Sequence, residues 1–452
     1  MDFLLLSMVK IVAVLAYIYG LMWVLGHTKR WVKFLGVALA YGIIQIALST
    51  EILTAFDRGL LFQASAITMV SLGLNLIYGF NGQFSLGQWG FYGIGAYTSA
   101  DIAWRWVNGD ASGFLAVLFG VVLVGFVIIG VGAFLQKVRG VPVISAFTLY
   151  LLGTVLAGAI AVGLAHLLSP LFAGGLGVTG APGPLAQGLP LQLLFFVSVI
   201  LAGAFSAEVS FLFGLPVLTL GSDYFGIATL GFTIVVNTLM VNSDTILPFP
   251  EMKGGRGMVG VPQMNEFAWL WVFVFMLLVI IVMRNLIHSS TGRTIMAVRE
   301  DEIAAKAMGI DIAQTKLLAF IFGSLFAGIG GAVYAHSTGT SFLSPGTFTF
   351  LVGFNPLIII VFGGLGSMTG TIAASFGWIF FLEGMLRVLL GQLGTEAPTW
   401  RFVLYPITLL LLMLIRPQGL LGLVEWGFLK AKIHPLRRSA AADAAADSAK
   451  LS

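Results

Sequence analysis

The chain has 452 residues, of which 58% are hydrophobic and only 9% are charged. Soluble domains carry about a quarter charged residues, so this composition excludes an ordinary soluble protein and predicts a polytopic membrane protein. Without cysteine there is no disulfide and no thiolate metal site, and the net charge of +4 reflects Lys and Arg in cytoplasmic loops rather than an anionic partner.

Long apolar runs follow one another along the chain, and each predicts a helix because a span needs about 20 apolar residues. The first run leads into His27 and Arg30 without a small-residue cleavage site, so we expect no cleavable signal. We predict an all-α helix bundle of about 13 membrane segments over 1–426, followed by a polar cytoplasmic tail over 427–452. The predicted spans are 3–25, 33–52, 60–80, 84–104, 113–136, 142–168, 190–215, 223–242, 267–287, 316–336, 351–366, 370–391 and 400–416.

The positions of Lys and Arg set the predicted orientation, because these residues concentrate in cytoplasmic loops. If the charged segment 289–316 lies inside and the spans alternate, most of the 23 Lys and Arg residues fall on the inner side. The N-terminus is then outside and the C-terminus inside. The tail, which carries Lys430 and Lys432, is then a solvated segment beside anionic lipid headgroups.

The segment SLGLNLIYGFNGQFSLGQWGFYGIGAY, 71–97, is rich in glycine and in amide side chains. Glycine allows close helix packing and broken helices, so 84–104 is predicted either to span the membrane or to form a broken or re-entrant helix. Asn75, Gln83 and Ser85 are costly against lipid. They line a translocation path in one interpretation and make interhelical hydrogen bonds in the other.

A second group of polar side chains begins within the sequence GSDYFGIATLGF, 221–232, and continues just after it. Thr229, Thr233 and Asn237 recur at helical spacing on one face, so they either line the path or bond to neighbouring helices. Asp223 stands where it can cap the start of this span.

The segment 289–316 carries acidic and basic residues between two long apolar runs, so it must lie outside the bilayer. Residues 300–308 are mostly strong helix formers, and Gly309 follows where a helix stop is expected. A helix at the membrane surface suits contact with a soluble partner.

Two features mark the last apolar runs. Asn355 is a further candidate for the translocation path, and it precedes Pro356, which predicts a kink or, alternatively, a gate hinge. Glycines from 363 to 370 are predicted to break the helix pair near the cytoplasmic side. Glu383 and Arg387 lie one helical turn apart in the favourable order, so an intramembrane ion pair is predicted, with substrate contact as the alternative.

Four stretches resemble known transport proteins. The run EIAA at 302–305, with Gly309 after it, resembles the Glu-Ala-Ala…Gly loop of ABC-importer permeases. REDEIAAKAMGI at 299–310, and the segments 71–97, 221–232 and 344–376, resemble branched-chain amino acid permeases of the LivM type. The resemblance covers roughly 60–97 and 190–425. It leaves 112–189 unaligned, where two extra spans would keep the topology intact.

The resemblance implies a permease domain with a cytoplasmic coupling loop at 289–315. It further implies a LivH-like permease partner, two ABC ATPase subunits and an external solute-binding protein. Leucine, isoleucine and valine would then cross a bacterial or archaeal cytoplasmic membrane by alternating access. The residues implied in ATPase coupling are Arg299, Glu300, Asp301, Glu302, Ala304, Ala305 and Gly309.

Enzyme motifs are missing from the sequence. Its five histidines are scattered, and the dipeptide Gly-Lys of a phosphate loop does not occur. We therefore expect no cofactor or metal in this chain, ATP and Mg on the partner subunits, and no nucleic acid partner. The alternatives are a same-family importer of urea, short amides or aromatic acids, and an ion-coupled secondary transporter with Glu208 and Glu383 as its membrane carboxylates.

Overall fold

The computed structural model describes residues 2–429, except 28–29, 51, 138–141, 179–180, 219–221, 247–248, 250, 265–266, 338, 340 and 392–399, and except 401–402, 405–406, 408–409, 412–413, 416–417, 420 and 423. Most of the predicted span 400–416 lies outside the described residues. So do the tail from residue 430 onward and the side chain of Asp223, with its predicted cap.

Helices dominate the described chain. They are α1 (Asp2–His27), α2 (Arg30–Ser49), α3 (Ala55–Leu74), α4 (Gln88–Val107), α5 (Ser112–Lys137), α6 (Val143–Leu168), α7 (Pro170–Leu176), α8 (Gly188–Val217), α9 (Ser222–Val241), α10 (Ser243–Ile246), α11 (Ala268–Ile287), α12 (Ser290–Glu300), α13 (Glu302–Ala307), α14 (Ile312–Ser337), α15 (Phe354–Gly363), α16 (Met368–Ile379) and α17 (Arg387–Gly391).

Shorter elements connect and extend these helices. π-Helices Asn75–Phe80 and Phe380–Leu386 continue α3 and α16, and short 3₁₀ turns lie at Pro184–Ala186, Gly254–Arg256, Pro345–Phe348 and Gly427–Leu429. Two antiparallel pairs of very short strands join β1 (Gly177–Val178) to β2 (Ala181–Pro182) and β3 (Met258–Val259) to β4 (Phe342–Leu343). In the second pair Met258 lies opposite Leu343.

Within the described residues, nine helices are long and apolar enough to cross a membrane. Two further apolar helices, Lys33–Ser49 and Phe354–Gly363, are shorter than these nine. This confirms an all-α polytopic membrane protein. The total of about 13 segments and the orientation of the termini stay predictions.

Helix α14 lies at the centre of the bundle and packs against α3, α4 and α8. Its glycines allow this packing: a Cβ at Gly331 would overlap the carbonyl oxygen of Tyr92, and one at Gly95 of α4 would overlap that of Gly328. Small residues let backbones meet directly, which is the main way that membrane helices gain packing contacts. The glycine-rich sequence therefore encodes the close contact of α4 with α14.

The bundle has two ends, named here by what they carry. The loop end carries α12 and α13, and the opposite end carries the β3–β4 pair. Helix α14, with 26 residues, is long enough to run about 39 Å between them at 1.5 Å per residue. At the opposite end its His336 bonds to the carbonyl oxygen of Pro262 (2.8 Å) and to the hydroxyl of Ser99 (2.9 Å).

Two crossings of the bundle are broken. Residues 81–87 are not helical, and α4 begins inside the protein at Gln88, which is buried beside Ser324 of α14. Within the predicted segment 84–104, residues 84–87 are not helical and 88–104 belong to one uninterrupted helix, so whether this segment spans the membrane or is re-entrant stays a prediction. Likewise residues 344–353 form no α-helix before α15, and Trp89 of α4 donates to the carbonyl oxygen of Thr347 at 3.0 Å. Non-helical backbone at this depth is tolerated because it is buried in protein.

The predicted kink at Pro356 is wrong. Pro356 lies in the first turn of α15, where a missing N–H breaks no helical hydrogen bond. The predicted glycine break is confirmed: α15 ends at Gly363, α16 starts at Met368, and Gly364 and Gly366 have φ of +114° and +81°.

Candidate functional site: a coupling surface and an interior cavity

The charged segment folds into two short helices, not the single helix predicted over 300–308. Asp301 ends α12 and adopts extended backbone (φ −157°). Its carboxylate accepts hydrogen bonds from the backbone N–H groups of Ile303 (2.8 Å) and Ala304 (3.0 Å), which caps α13. Within the sequence EDE, 300–302, a new helix therefore begins at the central Asp301, because an aspartate is a strong N-cap.

Gly309 ends α13 as predicted. Its φ is +84°, and its N–H donates to the carbonyl oxygen of Lys306 at 3.0 Å. The N–H of Ile310 bonds to Ala305, which closes the turn. Only glycine adopts this conformation without strain, so the backbone of the turn depends on this residue.

The outer face of α13 exposes apolar side chains. Ile303 and Met308 are each 83% exposed, whereas Ala305 is buried against the bundle. Glu302 forms an ion pair with Lys316 of α14 (2.6 Å), which ties the short helix to the central one. Glu300 and Ala304 are also exposed. Two apolar side chains on a charged surface segment suit a protein interface.

Arg299 belongs to the predicted coupling residues and is exposed, yet its side chain also contacts the bundle. Its guanidinium donates to the carbonyl oxygen of Gly79 in the first π-helix and lies beside Gly366. Its aliphatic carbons pack over Gly82, where a Cβ would lie 3.3 Å from Cγ. Arg299 therefore connects α12 to the first broken crossing and to the α15–α16 turn.

Asn75 is fully buried and bonded through its whole amide. Its Nδ2 donates to the carbonyl oxygen of Ser367 and to Oγ1 of Thr371, both at 2.9 Å, and its Oδ1 accepts from the N–H of Gly366 at 2.9 Å. Such an amide joins helices and has little capacity left for a solute. The structure thus favours the hydrogen-bond interpretation of Asn75.

The other polar side chains of the predicted path hold the broken crossings in place. The hydroxyl of Thr229 accepts a hydrogen bond from the N–H of Leu86 (3.0 Å), and the hydroxyl of Thr233 donates one to the carbonyl oxygen of Leu86 (2.9 Å). Asn237 donates to the carbonyl oxygen of Pro345 (2.8 Å). Gln83 accepts from Asn81 and Ser85 from the N–H of Gly87.

Asn355, another predicted path residue, lines a cavity among the described residues. This inner cavity, of about 70 Å³, is enclosed by the starts of α4 and α15 and by α3, α14 and α16, with Trp89, Asn355 and Trp378 in its wall. Trp378 donates to Oδ1 of Asn355 at 3.4 Å.

A larger space, the mouth cavity of about 390 Å³, adjoins the inner cavity. Its wall includes Phe56, Leu60, Glu383 and Arg387, and it shares Gln63, Tyr334 and Glu383 with the inner cavity. The predicted ion pair is present: Nη1 of Arg387 lies 3.3 Å from Oε2 of Glu383. Sequence reasoning missed Gln63 and Tyr334, and the signal that could have found Gln63 is a lone amide in an apolar helix.

A third space of about 570 Å³ lies among α4, α5, α6 and α8. Glu208 lines it, and within the described residues Oε2 of Glu208 is buried without a hydrogen bond. Near its edge Arg105 contacts Asp101 (3.0 Å) and Glu251 (2.6 Å), which ties α4 to the loop before β3. Across the described ranges, no three His, Cys, Asp or Glu side chains are grouped to hold a metal ion.

A family model described as "Branched-chain amino acid transport system / permease component" matches residues 58–165 and 125–414. The chain belongs to this permease family. The matches run through 112–189, which the sequence resemblance left unaligned, and there the structure places the long apolar helices α5 and α6.

Individual relatives have names that mention branched-chain amino acid transport. The chain is 31% identical to the high-affinity branched-chain amino acid transport system permease protein LivM of Salmonella typhimurium over 258 residues, 51% of this chain and 58% of that protein. The corresponding LivM of Escherichia coli K12 is 30% identical, again over 51% of this chain and 58% of that protein. A probable branched-chain amino acid transport permease protein LivM of Methanocaldococcus jannaschii is 28% identical over 50% of this chain and 68% of that protein.

The chain therefore spans less than two thirds of the length of the first two of these relatives. No solved structure matches it. As a member of a permease family, it is a transport component.

Proposed function

We propose that this chain is the LivM-type permease subunit of an ABC importer. It moves leucine, isoleucine and valine across the cytoplasmic membrane of a bacterium or archaeon, driven by ATP hydrolysis on partner subunits. The observation that carries the proposal is the short capped helix α13, whose exposed Ile303 and Met308 lie at the loop end of a family permease.

The loop end is the cytoplasmic side in this account. Helix α13 provides a small apolar surface for an ATPase subunit, and the Glu302–Lys316 pair and the Gly309 turn fix that surface relative to α14. Arg299 carries a displacement of α12 to Gly79 and Gly366. ATP and Mg bind to the two ATPase subunits, and the chemistry of this chain is conformational.

The opposite end faces outward and receives the solute-binding protein. The N-terminus then lies outside and the C-terminus inside, in agreement with the distribution of Lys and Arg. A LivH-like permease completes the transport unit. These partners are proposed from the family resemblance and from the exposed coupling surface.

Other solutes and another energy source are the rival accounts. A same-family importer of urea, short amides or aromatic acids would share the whole fold, because function resides in sites placed on folds. An ion-coupled secondary transporter would use membrane carboxylates such as Glu208 and Glu383. In such a transporter the exposed helix α13 would have no partner to contact, which is why we favour the ABC importer.

Co-purification tests the docking step. An Ile303→Asp/Met308→Asp variant should lose the ATPase subunits from the purified complex, because two charges replace the apolar contact. Val259→Asp is the matched control, since Val259 is an exposed apolar residue of the opposite end. ATPase retention by the double variant at the level of the wild type would contradict the proposed coupling surface.

A further inference from the structure

The mouth cavity lies at the opposite end of the bundle. It is lined by the first turns of α3, with Phe56 and Leu60, and by Arg387 where α17 begins. Gln63, Tyr334 and Glu383 stand between it and the inner cavity. The two spaces are therefore neighbours that share a wall of three side chains.

The charged groups of this wall are held one turn apart by the second π-helix. Glu383 lies within Phe380–Leu386, and Arg387 follows directly after it. π-Helical turns inside α-helices are frequently found at functional sites, where they redirect side chains. Here the turn brings a carboxylate and a guanidinium to the same cavity wall.

The ion pair between them is weak in geometry. Nη1 of Arg387 lies 3.3 Å from Oε2 of Glu383, which is longer than the usual 2.7–2.9 Å of a charge-assisted hydrogen bond. The Arg387 side chain is 55% exposed and that of Glu383 only 17%. Arg387 can therefore turn toward a ligand in the cavity, provided that a positive charge of the ligand takes its place beside the largely buried Glu383.

The rest of the wall combines apolar and polar side chains, which suits a small amphipathic ligand. Phe56 and Leu60 offer apolar surface beside the charges, while Gln63 and Tyr334 offer polar groups at the inner side. Small-ligand sites commonly combine an apolar wall with a few polar groups that fix orientation. A volume of about 390 Å³ accommodates a ligand of the size of leucine.

We propose that the mouth cavity binds an aliphatic α-amino acid as its zwitterion. The Glu383 carboxylate receives the ammonium group, the Arg387 guanidinium receives the carboxylate, and the aliphatic side chain lies against Phe56 and Leu60. This rests on the proposed function and adds to it a solute site inside a single permease chain.

A double variant separates this role from a structural one. Glu383→Gln/Arg387→Met removes both charges together, so the assembled yield of the complex should stay close to that of the wild type. ATP-driven leucine uptake per assembled complex should nevertheless fall at least about tenfold, the equivalent of losing one good polar contact. Lys10→Gln is the matched control: it breaks an ion pair to Asp57 at the same end (2.8 Å) but does not line the mouth cavity. It should leave uptake per complex unchanged.

A binding readout independent of transport completes the test. In the complex purified without the solute-binding protein, millimolar leucine should raise the melting temperature by about 2 °C or more. 4-Methylpentanoate, which lacks the ammonium group, and 3-methylbutylamine, which lacks the carboxylate, should not, and the double variant should not respond to leucine.

The outcomes separate the site from the proposed function. If the wild type takes up leucine with ATP but the double variant does so equally well, the pair is structural and the site is overturned while the function stands. The same holds if leucine gives no stabilisation, or if either analogue stabilises as well as leucine. If the wild type shows no ATP-driven leucine uptake, the proposed function fails and the solute assigned here fails with it.

Discussion

The guanidinium of Arg299 donates a hydrogen bond to the carbonyl oxygen of Gly79, which joins the end of α12 to the first π-helix. The contact is long-range in sequence, and it places a charged side chain of the surface segment beside the Gly366 turn. One residue thus touches the surface helix pair, the first broken crossing and the α15–α16 turn.

Loss of this contact should uncouple ATP hydrolysis from transport. Arg299→Gln removes the charge and shortens the reach, so we expect the ratio of leucine transported to ATP hydrolysed to fall by roughly tenfold, within the usual range of coupling energies. Arg293→Gln is the control, because Arg293 is also an exposed arginine of α12 but donates to the nearby carbonyl oxygen of His288 rather than to Gly79. An unchanged ratio in Arg299→Gln would show that coupling does not pass through this residue.

The turn at Gly309 should tolerate asparagine and reject valine. Nothing lies within 4 Å of a Cβ placed there, so the cost of substitution comes from the φ of +84° alone. A β-branched residue at such a φ costs about 1–3 kcal/mol, whereas asparagine is accepted more readily. Gly309→Val should assemble but lose ATPase stimulation by the loaded binding protein, and Gly309→Asn should keep most of it. Equal stimulation in both variants would remove the turn from the mechanism.

The orientation can be tested with single cysteines, because the chain has none. The structure guides the choice of position: Ser243 is buried, whereas Thr245 nearby and Ser290 at the start of α12 are exposed. In intact cells Thr245→Cys should react with an impermeant thiol reagent, and Ser290→Cys should react only after permeabilisation. The reverse pattern would place the loop end outside.

Glu425 predicts a pH dependence of stability. Its carboxylate accepts from the backbone N–H groups of Met368 (2.7 Å) and Thr369 (3.1 Å), so it holds residues 424–429 to the start of α16. Burial raises the pKa of the Glu425 carboxyl above its ordinary value, although these hydrogen bonds and that of the Thr369 hydroxyl act the other way.

A carboxyl whose pKa is raised on folding stabilises the folded state at low pH, and that contribution is lost as pH rises through the folded pKa. Compared with the wild type, Glu425→Gln should therefore gain stability as pH rises from below the ordinary glutamate value to neutrality. Melting temperatures of both proteins across that window test this, and parallel curves would contradict it.

The sequence predicted the long helices well, because a span of about 20 apolar residues has few alternatives in lipid. It placed the Gly309 stop and the glycine break after α15 for equally local reasons. It placed residues 84–87 inside a predicted span, although they are not helical, since Thr229 and Thr233, far away in sequence, satisfy the backbone of Leu86.

The candidate site was less accessible from sequence. Asn75 and Asn355 look alike as amides in apolar runs, yet one is saturated by Ser367, Thr371 and Gly366 and the other lines a cavity. That difference depends on tertiary contacts, which no local pattern encodes. Gln63, Tyr334 and Glu383 likewise line one cavity only because three separate helices pack together.

ATP-driven uptake in proteoliposomes tests the central claim most directly. The vesicles would contain this chain, a LivH-like permease and the two ATPases, with the binding protein and labelled leucine outside and ATP inside. We predict uptake that requires hydrolysable ATP, persists when ion gradients are collapsed, and is lost in Gly309→Val although the complex remains assembled. Uptake that proceeds without ATP and stops when an ion gradient is removed would contradict the account.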